Sequence, residues 1–259
     1  MAVRRDESRR RSLRIGRSPC DHASPHPGIA SMRSVSTLFL AALLMASAGC
    51  ADALDSKLPD PAITDPAPDA DFPTANKQLL VPSGDVGMNA VFLLASGDKP
   101  KPTLVLMHGL PGNERNLDLA QAVRRAGWNV LTFTYRGSWG SPGKFSITNA
   151  IEDAAAAVAY LHQPEVAAKY RVDPARIVIA GHSRGGFAAA QYAASHDDVI
   201  GLLLIDAWNV GAEAAPIRGN AAKRAEFVAG FDDMGNSLVG ADAQSLASEV
   251  EKARKAGTW

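Results

Sequence analysis

Arg176-Ile177-Val178-Ile179-Ala180-Gly181-His182-Ser183-Arg184-Gly185-Gly186 is an apolar, β-prone run that stops in a Gly-x-Ser-x-Gly turn and enters a helical pattern over 186–194. A chain turning that tightly between strand and helix forces its central residue out of the ordinary backbone regions. Side chains on the flanking positions would strike the strand or the helix, and Gly181, Gly185 and Gly186 leave that space free. The serine hydroxyl is then displayed at a helix start, where unpaired N–H groups and the macrodipole favour negative charge. This context, rather than the bare pattern, marks Ser183 as a candidate nucleophile.

Upstream, apolar runs suited to buried strands lie at 103–107 and 130–134, and one more lies downstream at 200–205. Two further strands, 78–81 and 90–95, flank the turn material Pro82-Ser83-Gly84-Asp85. Helical patterns over 117–126 and 148–161 separate the apolar runs. Strands alternating with helices of this length predict an α/β fold, a mostly parallel sheet with helices on both faces.

The strand at 103–107 leads into His108-Gly109-Leu110-Pro111-Gly112. Acyl transfer needs donors aimed at a developing oxyanion, and the backbone N–H groups of Leu110 and Arg184 are the candidates. His108 is read as orienting its own loop, with a role as base as the alternative. Together, His-Gly-x-Pro-Gly and Gly-His-Ser-x-Gly-Gly resemble the motifs of the α/β-hydrolase superfamily, in its secreted esterase, lipase and serine-peptidase-like branches. The resemblance runs from about Gln78 to Trp208 and implies the family's first six strands in order. It also implies acyl-enzyme chemistry at Ser183 on a small-molecule ester or a peptide-like substrate. Tyr135-Arg136-Gly137-Ser138-Trp139-Gly140 resembles the loop at the family's active-site rim, with a surface turn as the other reading.

The pattern then breaks. The family's triad runs Ser, acid, His in chain order, yet the only histidine after Ser183 is His196. Thirteen residues of helix would put it about 20 Å away, so it is not expected to act as base. Asp206, at the end of the sixth strand, is either the acid or a loop-capping carboxylate. The expectation is a clipped hydrolase lacking the last two strands with its His and acid. The alternative is a non-catalytic hydrolase-like binding domain or a surface lipoprotein. A carboxylate at 183, which a dehalogenase of this fold would need, is missing. No cysteine, histidine or carboxylate cluster has metal-ligand spacing, and no cofactor is implied.

The N-terminal region reads differently. Residues 1–31 hold seven arginines and no hydrophobic periodicity. They are expected to be an upstream extension ahead of a start at Met32, with an Arg-rich targeting extension as the alternative. Residues 32–50 have the layout of an export signal: Arg33, an apolar run from Leu38 to Met45, then Ser47-Ala48-Gly49-Cys50. Cys50 is either a lipid attachment site or follows an ordinary cleavage after Ala48, so the surviving chain has no internal disulfide. Residues 51–76, with five prolines and six aspartates, are a Pro/Asp-rich linker. The hydrolase core is expected over 77–211, and the Ala-, Glu- and Lys-rich residues 212–259 as a helical cap or truncated tail. From Ala51 onward there are 19 basic and 24 acidic side chains, a balance that does not suit nucleic-acid binding. Localisation is expected to be exported: periplasmic, membrane-anchored or secreted.

Overall fold

A computed structural model of the chain describes residues 60–232 and 238–253. The export signal, Cys50 and the first part of the linker lie outside the described residues. Six strands form one sheet in the order β1-β2-β4-β3-β5-β6. They are β1 (Ala75–Ser83), β2 (Val86–Leu94), β3 (Lys101–Met107), β4 (Asn129–Phe133), β5 (Val172–His182) and β6 (Gly201–Ile205). β1 and β2 make an antiparallel hairpin through Gly84 at φ 58°, and β2 runs antiparallel to β4. The remaining pairings are parallel. Seven helices accompany the sheet among the described residues: α1 (Leu117–Arg125), α2 (Ile147–His162), α3 (Pro164–Tyr170), α4 (Arg184–Ala193), α5 (Val210–Ile217), α6 (Ala221–Asp232) and α7 (Ala243–Lys252).

The sheet separates two apolar layers, as alternation of side chains along strands requires. Phe92, Val105, Leu131, Ile177 and Ile179 face α2, whose Ala150, Ala154 and Ala157 let the helix sit close on the sheet. Leu93, Leu104, Leu106, Val130 and Ala180 face the other way, against Ala120 of α1. Register matters for the site: Met107 pairs with Gly181 and His182 with Ile205. The C-terminal ends of β3, β5 and β6 therefore converge at one edge, where ligands of open α/β sheets gather.

Three features differ from expectation. α3 falls where no element was expected. Pro164 occupies its first turn, where a missing N–H goes unfelt. Residues 60–74, read as linker, lie against α1. Asp65 pairs with Arg124 at 2.6 Å, and Arg125 donates to the Pro61 and Ala62 carbonyls. The tail also does more than cap. Ala214, Ile217, Leu238, Leu246, Val250 and Ala253 join the same core layer as α2, and Glu249 accepts from the backbone N–H of Ile147.

Candidate active site

β5 runs straight into the turn, and Ser183 sits at φ 52°, ψ −118°. A non-glycine residue in that region carries strain of order 1–3 kcal/mol and needs its surroundings to hold it. Three backbone hydrogen bonds do so. The Ser183 N–H donates to the Ile205 carbonyl at 3.0 Å, and its carbonyl accepts from Phe187 at 3.1 Å and Trp208 at 2.8 Å. The turn is thus bolted to β6 and the segment beyond it.

Each flanking glycine is sterically required. A Cβ on Gly181 would lie 2.2 Å from the Gly185 carbonyl, and one on Gly185 would lie 2.6 Å from the Met107 and His108 oxygens. One on Gly186 would meet the Ala207 Cβ at 2.6 Å. The 108–112 loop passes as closely on the other side, since a Cβ on Gly109 would be 3.0 Å from that of Ser183. The backbone N–H groups of Leu110 and Arg184 take no acceptor among the described residues. That of Arg184 is one of the unpaired donors at the α4 start.

His108 is buried behind this loop. Its Nδ1 lies 2.7 Å from the Gly109 carbonyl, which can only accept, so the proton resides on Nδ1. Nε2 is left buried without a partner. Burial, and then the Arg184 charge, push its pKa down to about 3. A ring held neutral, with its one proton turned to the Gly109 carbonyl, fits the expected loop-orienting role better than that of a general base.

Arg184 is the largest fully buried side chain among the described residues. Its guanidinium lies over the Tyr135 ring at 3.8 Å and near Phe145 at 5.0 Å. Its Nη2 is within 3.4 Å of the His108 carbonyl and 3.3 Å of that of Gly109. The Tyr135 hydroxyl also donates to the His108 carbonyl, at 3.1 Å. The sequence pointed to Arg184 as a backbone donor only, because the partners of its side chain lie 39 and more residues away in the chain.

The remaining candidates separate from the serine. No side chain among the described residues makes a hydrogen bond to the Ser183 hydroxyl. His196 stacks on Tyr192 at 4.0 Å beyond the far end of α4, a helix whose ten residues rise about 15 Å. Asp206 is exposed at φ 43° and caps nothing. Asn209 caps α5, accepting from Ala212 at 3.1 Å, so the loop-capping reading of Asp206 is corrected. The 135–140 segment is not a surface turn, because Tyr135, Arg136 and Ser138 are buried. Trp139 and Gly140 are exposed at its end, and Trp139 donates from Nε1 to the Pro111 carbonyl at 2.5 Å with the Arg115 guanidinium over its ring.

Cavities flank the turn and do not contain it; one of about 680 Å³ lies among Gly112, Arg115, Leu117 and Trp139 without reaching Ser183. A groove of about 470 Å³ runs from Leu80 and Val91 to His108 and Trp139, and one of about 490 Å³ lies among Trp208, Phe227 and Phe231. Ser183 lines neither. Backbone geometry, not cavity size, singles it out.

A parallel sheet delivering a strained serine between strand and helix, with a glycine loop laid against it, defines a class of α/β proteins built around that turn. The α/β-hydrolase family model matches residues 104–256, and the chain belongs to that family. Among solved structures it is similar to protein PA2218 from Pseudomonas aeruginosa, at 15% identity over 78% of this chain and 73% of that one, with a TM-score of 0.48. It is also similar to EstE1, a thermophilic carboxylesterase cloned from a metagenomic library, at 20% identity over 75% and 61% of the two chains, TM-score 0.45. A third is the Pyrococcus horikoshii acylaminoacyl peptidase, at 16% identity over 55% and 24%, TM-score 0.47. The chain spans less than two thirds of the length of the esterase and of the peptidase. Curated protein sequences give no match.

Proposed function

We propose that this is a serine hydrolase that cleaves an ester, thioester or amide through an acyl-enzyme at Ser183. The Ser183 oxygen attacks the carbonyl carbon, and the oxyanion is received by the N–H groups of Leu110 and Arg184. The leaving group departs with the serine's proton, and water then releases the acid and restores the hydroxyl. The observation that carries this reading is the Ser183 backbone, a non-glycine residue locked at positive φ by three hydrogen bonds. A merely structural turn would relieve that strain with glycine. The substrate is a small ester or a peptide-like molecule, and the Leu38–Met45 run with Cys50 supports export, with lipidation at Cys50 as an anchor.

A second reading has its own support. Among the described residues no histidine is hydrogen-bonded to the Ser183 hydroxyl, which favours a binding domain on a hydrolase scaffold. Treating the full chain with a fluorophosphonate probe separates the two. The expected result is an adduct on the peptide carrying Ser183 that Ser183→Ala abolishes. A chain that stays unlabelled while folded is the outcome that favours the binding domain.

A further inference from the structure

Arg184 breaks a local rule. A guanidinium removed from water calls for a carboxylate, yet Arg184 makes no ion pair among the described residues, and its Nε and Nη1 have no hydrogen-bond partner. Leucine or methionine would fill the same space without burying a charge. Departures of this kind concentrate where function requires them. What the side chain does touch is specific: the faces of Tyr135 and Phe145, and two consecutive carbonyls of the loop beside Ser183.

We propose that Arg184 is a positioning residue for the oxyanion loop: its guanidinium, seated on Tyr135, holds the His108 and Gly109 carbonyls and so sets the Leu110 N–H against Ser183. The loop's own N–H groups make no backbone hydrogen bonds among the described residues, and its far end is held through the Pro111 and Gly112 carbonyls by Trp139 and Arg115. Its carbonyls carry the restraint instead. That of His108 receives the Tyr135 hydroxyl and Arg184, and that of Gly109 receives the His108 ring and Arg184. Arg184 is the one donor common to both. A peptide whose two carbonyls are pulled inward turns the following N–H outward, toward the serine. Aromatic faces suit this task better than a carboxylate would. They stabilise the cation without accepting the hydrogen bonds that the loop carbonyls need. The residue after the nucleophile would thus supply one oxyanion donor from its backbone and align the other through its side chain.

The inference rests on Ser183 as nucleophile for its meaning in catalysis, but the positioning can be read without turnover. In the full chain, the His108 Nδ1 proton observed by ¹⁵N NMR reports whether the loop is held. Arg184→Met is expected to speed exchange of that proton with water at least about tenfold, as a local opening does. The first-order rate of fluorophosphonate labelling at Ser183 is expected to fall about 10²-fold, the size that a loop displaced by an ångström produces. Arg184→Gln, which keeps one amide donor, is expected to fall between, and it stands in if the methionine variant does not fold. An Nδ1 proton as protected in Arg184→Met as in the parent chain overturns the inference. If the parent chain takes no label, the hydrolase reading fails, and the ring-proton comparison still decides whether Arg184 holds the loop.

Discussion

At the scale of single residues, the geometry of the candidate site was legible wherever it depends on neighbours in the chain. Gly181, Ser183, Gly185 and Gly186 are needed by a turn that is local, so their spacing carried the reading. His108 shows the limit. Its place before Gly109 suggested a loop role, but its neutrality comes from burial and from Arg184, which no spacing reveals. That neutrality has a measurable consequence. With the folded pKa near 3 and an unfolded value of 6.5, the unfolded chain binds the proton first as pH falls. The contribution of His108 is fully present above pH 6.5 and is lost progressively down to about pH 3, at about 1.4 kcal/mol per pH unit inside that window. His108→Asn keeps a donor for the Gly109 carbonyl but does not titrate. Urea unfolding from pH 7 to 4 is therefore expected to show a shallower acid loss in the variant than in the parent. Parallel curves would mean that the ring protonates in the folded state.

Between elements, the apolar runs located every strand to within a few residues, because buried parallel strands must be continuously apolar. The joints between them were not legible. Asp153 on α2 is buried and accepts from the Ser83 hydroxyl at 2.6 Å, the Arg136 N–H at 2.9 Å and Arg136 Nε at 2.5 Å. One carboxylate therefore ties the end of β1, the loop after β4 and the helix that backs the sheet. In the sequence it is one acid among many in an alanine-rich helix. Asp153→Asn leaves Arg136 without its buried counter-charge, and the expected loss is about 3 kcal/mol by denaturant unfolding. Glu152 also meets Arg136, at 2.7 Å, but is 60% exposed, so Glu152→Gln is expected to cost under about 1 kcal/mol. Equal losses would show that charge count, not burial, holds this joint.

For the molecule as a whole, the ordering of strands leaves β6 at one margin of the sheet, with β5 as its sole partner among the described residues. Its Leu202, Leu203 and Leu204 are 42%, 45% and 46% exposed. That the tail returns to the α2 layer was not readable, because its helices contribute isolated core residues at no clear period. The Ser183 turn hangs from this margin, through the bonds of Ser183 to Ile205 and Trp208. An apolar strand with a free hydrogen-bonding edge pairs with whatever edge it meets, and a second copy of the chain offers the same edge. Sedimentation velocity is accordingly expected to show a coefficient that rises with protein concentration. Leu203→Lys places a charge on the edge at a site exposed enough to leave monomer stability within about 0.5 kcal/mol, and it is expected to remove that rise. A parent chain that sediments identically at every concentration would mean that the β6 margin is not available for pairing.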